Sequence, residues 1–299
     1  MLIKRWLLLC ASLSTLLANQ FHAATYVLPA SGDVVGEVQY TYSLIDETID
    51  EVGRRFDVGY QEMVRANPHA DPMHTLAPHT RLLIPSQYIL PDVPKKGIVI
   101  NLAEYRLYYF PAEENIVVTF PVGIGKEGWN TPLGLTRIVN KTVDPVWRPT
   151  PKIRAAAEEM GAPLPEVFPA GSHNPLGRHV LRLGWPAILI HGTNRTDGVG
   201  MRVSAGCIRM LPEDIEHLYE LAGTGTPVRV INESVKVGIK DGVTYIQAYP
   251  LLKGQKNSNS KSSFLTLLKR SVLNTGEAHR IMDSELKNPS GLLKQINTH

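Results

Sequence analysis

The 299-residue sequence predicts a mainly β domain with short helices, preceded by a small unit in the order strand, helix, helix, strand. Two patterns lead to this prediction. Between residues 36 and 86, alternating residues give way to two short runs at helical spacing and then to a closing apolar strand. Beyond residue 97, runs of branched and aromatic residues alternate with loops rich in Gly and Pro, which is typical of β domains.

The small unit, residues 36–86, can be divided into elements from local patterns alone. Helical spacing occurs twice, first behind a polar helix-start sequence and then before an Asn-Pro pair, where a helix must end. The predicted elements are a strand at Glu37–Tyr42, a helix built on Ile49, Val52 and Phe56, a second helix at Tyr60–Ala66, and a strand at Thr80–Pro85.

Residues 87–96 contain Pro91 and Pro94 and are predicted to be a semi-rigid linker. A β domain is predicted to follow at residues 97–232. Its strands are predicted at Ile98–Asn101, Arg106–Phe110, Ile116–Pro121, Ala187–Ile190 and Pro227–Ile231, and its helices at Lys152–Met160 and Pro212–Leu221. Pro163–Gly177 is too rich in Pro and Gly for regular structure, and a long loop in a compact domain is often functional.

The N-terminus is predicted to be a secretory signal peptide, residues 1–24. Lys4 and Arg5 precede an apolar run from Trp6 to Leu17, and Ala23 and Ala24 provide small residues for cleavage. The alternative is a membrane anchor, but the run is shorter than the roughly 20 residues that a spanning helix needs. We therefore expect an exported, soluble protein.

The charge distribution argues against a nucleic-acid-binding core. The whole chain carries a formal net charge of +3. Together, the signal region and the tail, residues 254–299, carry a larger net positive charge than the whole chain. The tail alone has seven Lys or Arg against three Asp or Glu. The body of the protein is therefore slightly acidic, and no nucleic-acid partner is expected.

Cys207 is the only cysteine that remains once the signal peptide, with Cys10, is removed. Exported cysteines normally pair, so a lone thiol indicates either a reactive group or a small buried residue. His191 lies sixteen positions earlier, at the end of an apolar run. An imidazole is the usual means of activating a thiol near neutral pH. The sequence therefore favours a Cys207–His191 pair that performs acyl transfer.

The residues around this pair suggest further roles. Gly206 leaves the backbone open beside the thiol, so the amides of Gly206 and Cys207 are candidate oxyanion donors. Arg209 is a candidate for binding a substrate carboxylate, and a structural salt bridge is an equal alternative. The carbonyl of Gly192 is a better candidate than Asp197 to orient the imidazole.

His173 and His179 are rival bases, but they lie in or beside the long loop, and an arbitrary histidine is more often a surface or packing residue. A metal site is not predicted, since one Cys and one His leave a tetrahedral site short of ligands. No cofactor is expected.

These motifs resemble the YkuD-type L,D-transpeptidases over about Gly97–Ile231. The family signature appears as I-H-G-T-N at Ile190–Asn194 and S-A-G-C-I-R at Ser204–Arg209. Supporting fragments are TPLG (Thr131–Gly134), NPLG (Asn174–Gly177) and DIEHLY (Asp214–Tyr219). Many members have His where Ala205 stands, which leaves the base role to His191. Residues 233–253 resemble the β segment that follows the catalytic domain in periplasmic, Gram-negative members.

The resemblance implies a YkuD-like β-sandwich and a two-step acyl transfer in the periplasm. Cys207 is the implied nucleophile and His191 the implied general base and acid, with Gly206, Arg209, Ser204 and Gly192 as candidate oxyanion or substrate residues. The implied donor is a peptidoglycan tetrapeptide stem that loses its terminal D-alanine. The acceptor is left open between a second stem, giving a 3→3 cross-link, and the lysine of an envelope lipoprotein. Carbapenem acylation of the same cysteine is also implied.

Residues 36–86 resemble a LysM module, a domain that binds glycans containing N-acetylglucosamine. The matching motifs are DETI (Asp46–Ile49), Arg55–Phe56, Asn67–Pro68 and Leu83–Pro85. Ile45 replaces the usual glycine, and His79–Thr80 replaces a Gly-Gln pair. The alternative is a packing domain without a ligand, because fold does not fix function.

Residues 254–299 are predicted to form a polar linker and a basic tail. Phe264, Leu265, Leu268 and Val272 line one face of a possible helix, which would either lie on an anionic membrane, dock on the catalytic domain or remain poorly ordered. For the whole protein, two alternatives to a transpeptidase stay open: an L,D-carboxypeptidase that uses the same pair of residues, and a non-catalytic peptidoglycan-binding protein.

Overall fold

The computed structural model describes residues 23–258 and 276–296. The predicted signal peptide up to His22 and the possible tail helix at 264–272 lie outside the described residues. No helix in the described ranges is long and apolar enough to cross a bilayer.

The described chain is mainly β with a few short helices. The strands are β1 (Ala24–Val27), β2 (Val34–Gly36), β3 (Gln39–Tyr42), β4 (Arg81–Ile84), β5 (Gln87–Ile89), β6 (Gly97–Asn101), β7 (Arg106–Phe110), β8 (Ile116–Pro121), β9 (Ile124–Gly125), β10 (Gly134–Val143), β11 (His179–Leu183), β12 (Leu189–His191), β13 (Arg202–Ser204), β14 (Ile208–Arg209), β15 (Pro227–Ile231), β16 (Val235–Lys240), β17 (Val243–Ala248) and β18 (Lys294–Gln295). The helices are α1 (Ile49–Arg54), α2 (Tyr60–Ala66), α3 (Pro151–Glu159), α4 (Pro212–Leu221) and α5 (Gly276–Lys287).

Nine of these strands form one sheet, in the order β1-β8-β7-β6-β15-β10-β11-β12-β14. Most neighbours are antiparallel, but β6 and β15 pair in parallel, and so do β12 and β14. Apolar side chains from these strands and from α4 form the largest core cluster, which includes Ile100, Phe120, Ile190 and Leu218. The predicted bounds of the strand at Pro227–Ile231 and the helix at Pro212–Leu221 are confirmed.

The small N-terminal unit has the predicted order of strand, helix, helix, strand, formed by β3, α1, α2 and β4. Thr48 caps α1 through a capping box: its hydroxyl accepts from the Glu51 amide, and the Glu51 carboxylate accepts from the Thr48 amide. The Asn67 side chain bonds both the amide and the carbonyl of Leu83, at 2.7 and 2.8 Å, and so joins the end of α2 to β4. The likeness to LysM still rests on the sequence motifs.

Two predicted boundaries need correction. Ala24, predicted as the last residue of the signal peptide, begins β1 and pairs with Thr119 of the main sheet, and Ala23 is buried in the core. The predicted linker, residues 87–96, starts with β5, which pairs with β2, and its Tyr88 is 1% exposed. Local sequence missed both strands because each is short and is stabilised by a partner distant in the chain.

The small unit is attached to the main sheet through a buried ion pair. The Arg106 guanidinium on β7 donates to both carboxylate oxygens of Glu62 on α2, at 2.8 and 3.1 Å, and neither side chain is more than 4% exposed. Arg106 also donates to the Asp57 carbonyl and the Thr119 hydroxyl, and stacks on the Tyr88 ring at 4.3 Å. These contacts satisfy a buried charge that would otherwise be costly, so the position of the unit is fixed.

The described residues after 232, namely 233–258 and 276–296, include a second sheet. β16, β17 and β18 make an antiparallel sheet on which α5 packs through Ile281 and Met282. A buried salt bridge of 2.7 Å between Lys236 and Glu104, which lies between β6 and β7, connects this sheet to the nine-stranded one. The helix α5 and the strand β18 were not predicted from the sequence, which indicated only a polar linker and a basic tail for this region.

Candidate active site

Two short parallel strands bring His191 and Cys207 to one pocket. His191 is the last residue of β12, and Cys207 immediately precedes β14. In their register Ile190 pairs with Ile208 and His191 with Arg209. Because side chains alternate along a strand, His191, Arg209 and Cys207 project from the same face. All three line a pocket of about 810 Å³.

The imidazole of His191 is buried and held in one tautomer. Its Nδ1 lies 2.6 Å from the Gly192 carbonyl oxygen. A carbonyl only accepts hydrogen bonds, so Nδ1 carries the proton and Nε2 keeps its lone pair. Burial lowers the pKa of His191 from 6.5 to about 4; the charge of Arg209 lowers it further, and the carbonyls of Gly192 and Leu176 oppose the shift. The ring is therefore neutral near pH 7, as a base must be.

The thiol of Cys207 is half-buried and protonated. It packs against the cluster of Leu176, Val180 and Leu189, and its Sγ–H points to the Ala187 carbonyl at 3.5 Å. Burial raises the pKa of Cys207 above 9.0, whereas a hydrogen bond from the Leu189 backbone and the charges of Arg182 and Arg209 lower it. The resting pair is thus a neutral thiol with a neutral imidazole rather than a thiolate with an imidazolium.

Ser204 fixes the turn that carries the cysteine. Its hydroxyl accepts from the Gly206 amide at 3.1 Å and donates to the Cys207 carbonyl at 2.5 Å. Gly206 has a φ of +103°, a region that disfavours any residue with a side chain. The turn therefore requires both residues, and the glycine holds the backbone that presents the sulfur.

The oxyanion role expected of Gly206 stays a prediction, and its amide here donates to the Ser204 hydroxyl. Gly192 is not free for such a role either, since its amide donates to the His179 carbonyl at 3.2 Å. Gly192 is instead needed for space: a Cβ there would lie 3.1 Å from the Ile215 side chain. Sequence alone shows that an amide is present, but not which acceptor it meets.

Arg209 lines the pocket without a salt bridge in the described ranges, which removes the structural alternative. Its Nε is buried with no hydrogen-bond partner among the described residues. Burial lowers its pKa, and Asp197 partly offsets this. Asp197 itself pairs with Arg195 at 2.8 Å, so it does not orient His191. An arginine with an unused buried donor suits an anionic ligand.

The rival histidines do not join the site. The His179 ring packs on Tyr219 with 4.9 Å between the centroids, and His173 is exposed in the long loop. Neither lines the pocket. In the described part of the chain, no group of three or more His, Cys, Asp or Glu could hold a metal ion.

The pocket walls come from the predicted functional loop and from two tryptophan segments that the sequence did not single out. Trp129 lies on one side, and Trp147, which stacks on Phe168 at 5.1 Å, lies on another. The loop Pro163–Gly177 supplies Pro175 and Leu176, and Asn174 ties it down by donating to the Pro145 carbonyl at 2.7 Å. The sequence Trp-Arg-Pro at 147–149 is the local feature from which one wall of the pocket could have been predicted.

Comparison with known proteins identifies the family. The family described as the YkuD L,D-transpeptidase catalytic domain matches residues 95–230. Over 287 residues the chain is 39% identical to probable L,D-transpeptidase YbiS of Escherichia coli K12, covering 92% of both proteins. The chain belongs to the YkuD family of L,D-transpeptidases.

A second relative agrees with this assignment. Probable L,D-transpeptidase YcfS of Escherichia coli K12 is 38% identical over 272 residues, 88% of this chain and 85% of that protein. The NMR structure of the E. faecium L,D-transpeptidase catalytic domain has 20% identity and a TM-score of 0.36, covering 47% of this chain and 100% of that domain. That TM-score is too low to support an argument. The family resemblance read from the motifs is confirmed, and this L,D-transpeptidase is an enzyme.

Proposed function

We propose that this L,D-transpeptidase acts on peptidoglycan tetrapeptide stems through a thioester on Cys207, with His191 as general base and acid. The observation that carries the proposal is the shared face of β12 and β14, where a buried neutral imidazole, held at Nδ1 by the Gly192 carbonyl, and a thiol line one pocket. Nucleophile, base and a group that orients the base are the parts such a reaction needs.

In the first step the sulfur attacks the carbonyl at the L-centre of the diamino acid. The S–C bond forms, the C–N bond to the terminal D-alanine breaks, and the thiol proton passes through Nε2 of His191 to the leaving amine. In the second step an amine attacks the thioester, loses a proton to His191 and takes the acyl group, while the sulfur recovers a proton. Nothing is oxidised or reduced.

Because Cys207 and His191 are both neutral before substrate binds, their protonation determines when the thiol loses its proton. With the pKa of Cys207 raised by burial and that of His191 lowered to about 4, little thiolate exists near pH 7. Proton transfer to His191 therefore accompanies attack rather than preceding it. The Leu189 backbone, Arg182 and Arg209 favour the anionic sulfur, so they stabilise charge as it develops.

Two acceptors fit the second step: the diaminopimelate amine of another stem and the lysine of an envelope lipoprotein. Water would make the enzyme a carboxypeptidase. The loop Pro163–Gly177, which contributes pocket residues and is anchored by Asn174, is proposed as the lid that limits water access.

The enzyme is proposed to work in the periplasm after removal of the signal peptide. The module at 36–86 is proposed to bind peptidoglycan glycan strands. Support comes from its LysM-like motifs, from its strand-helix-helix-strand order, and from Tyr40 and Tyr42, whose rings are exposed on β3.

The test is mass analysis of muropeptides from a host that expresses the wild type or Cys207→Ala. We expect 3→3 dimers or lipoprotein-linked stems to depend on Cys207, and the product found identifies the acceptor. In parallel, the purified wild type should gain the mass of a carbapenem on Cys207. His191→Gln should slow this acylation by 10²–10⁴-fold, about the usual contribution of a general base, and His179→Gln is the matched control. Products independent of Cys207 would refute the proposal.

A further inference from the structure

The pocket beside Cys207 carries an excess of positive charge. Four of its lining residues are cationic, namely Arg148, Lys152, Arg182 and Arg209, and none of its lining residues is Asp or Glu. Lys152 lies over the Trp129 ring at 4.3 Å. Within the described ranges Arg182 makes no salt bridge, and its side chain is exposed to the pocket. An unpaired guanidinium in a concave site is a ready partner for a carboxylate.

Arg182 is placed next to the reacting sulfur. It lies on β11, where it pairs with Leu189 of β12, and the Leu189 backbone is in turn hydrogen-bonded to the Cys207 sulfur. Arg182, Leu189 and Cys207 therefore follow one another across one sheet face. Two strand spacings separate Arg182 from Cys207, about 10 Å between backbones. Arg182 also acts more strongly than Arg209 on the charge of the thiol.

The dimensions of a peptide match this gap. In a donor whose last residue is released, the free carboxylate carbon lies two atoms beyond the scissile nitrogen, about 4 Å from the carbonyl under attack. With the carbonyl at Sγ, a carboxylate at this distance fits within the roughly 10 Å that separates the Cys207 and Arg182 backbones, where the Arg182 side chain can reach it.

We infer that Arg182 is a specificity residue that binds the free C-terminal carboxylate of the residue released from the donor peptide. The inference rests on the proposed function, because it assumes that Cys207 takes the acyl group. Binding this carboxylate selects donors that end one residue after the scissile bond. Donors whose terminus is amidated or extended present no charge at that point and are disfavoured.

The test compares two synthetic donor peptides that differ only in ending as D-alanine acid or D-alanine amide. Thioester formation on Cys207 and release of the last residue are followed by mass spectrometry. The wild type should prefer the acid over the amide by about 10–100-fold in kcat/KM, the usual range for a charge-assisted hydrogen bond. Arg182→Gln should slow both donors, because Arg182 also favours the anionic sulfur, but it should slow the acid donor more and so bring this ratio close to one; Arg182→Lys should restore part of the ratio.

Two variants serve as controls. Arg178→Gln removes the same charge from a side chain that pairs with Asp144 and does not line the pocket, and Arg148→Gln removes another cation of the pocket. Both should keep the acid-to-amide ratio of the wild type.

The outcomes are distinguishable. Equal wild-type rates on both donors, equal slowing of both by Arg182→Gln, or loss of the ratio in Arg148→Gln would overturn the inference and leave the thioester mechanism intact. No thioester on the wild type with either donor would overturn the proposed function and the inference with it.

Discussion

Acidification should destabilise this protein through His191, and the size of the effect follows from its environment. The unfolded chain takes up a proton on this ring near pH 6.5, whereas burial delays uptake in the folded state to about pH 4. Between these values the unfolded state binds more protons. The free energy of unfolding therefore rises with pH, is complete above about 6.5 and is lost as the pH falls towards 4.

The magnitude follows from the two pKa values. The interval between 6.5 and about 4, at 1.36 kcal/mol per pH unit, corresponds to about 3 kcal/mol. The ring is only 5% exposed, so solvent screening does not reduce this figure much. Asp57 acts in the opposite sense, because burial raises its pKa to about 6 and its contribution is lost as the pH rises. Burial also raises the pKa of Glu233, to about 7, so the pH dependence of the wild type alone would mix all three groups.

The assay is therefore a difference measurement. Urea unfolding of the wild type and of His191→Gln, followed by tryptophan fluorescence between about pH 7 and 4, gives two stability curves in which Asp57 and Glu233 cancel. The difference should fall by about 3 kcal/mol towards the acid end, with its midpoint near pH 5. The rate of carbapenem acylation should keep its neutral-pH value to well below pH 6.5 and drop only near 4. Parallel stability curves would refute the assigned environment of His191.

Three further predictions concern the surrounding structure. Glu62→Ala leaves Arg106 buried without its carboxylate and should cost about 3–5 kcal/mol of unfolding free energy, measured by urea denaturation. Gly206→Ala forces a side chain into a φ of +103° and should cost about 1–3 kcal/mol, with slower acylation of Cys207 measured by intact mass. Asn174→Ala removes the hydrogen bonds to the carbonyls of Pro145 and Pro169, so protease cleavage within 163–177 should become faster and the stability should fall by about 1–3 kcal/mol.

Each of these has its own control and contrary result. Asp197→Ala breaks an exposed pair with Arg195 and should cost less than about 1 kcal/mol; a similar cost for Glu62→Ala would show that its burial does not matter. Gly223→Ala has open space and no positive φ, so it should be nearly neutral, and an equal loss there would remove the φ argument. Unchanged cleavage in Asn174→Ala would mean that other contacts hold the loop.

Local sequence was sufficient for the elements that bury a regular face. The helices at Tyr60–Ala66 and Pro212–Leu221 have the predicted bounds, because their starts, ends and apolar spacing are all local signals. β1 and β5 were missed, since a strand of three or four residues becomes stable only through a partner far along the chain. The docking of residues 276–296 on β17 was missed for the same reason.

The candidate site also contains residues that local sequence predicts and residues that only the tertiary structure reveals. Cys207 and His191 could be predicted as site residues because a lone thiol, and a histidine after an apolar run, can be recognised in the linear sequence. Arg182 could not, since nothing in its neighbours along the chain distinguishes it from other arginines on strands. It enters the pocket because β11 lies beside β12. The expected amide of Gly206 was present, but Ser204 had already bonded it.

By itself, the sequence determined the family and predicted the proposed pair of Cys207 and His191, because these depend on residue types at short spacing. The tertiary structure decided the protonation of that pair and the charge around it. Burial of His191 and the pairing of distant strands set both, and neither the depth of a ring nor its neighbours across a sheet is encoded in any local stretch of residues.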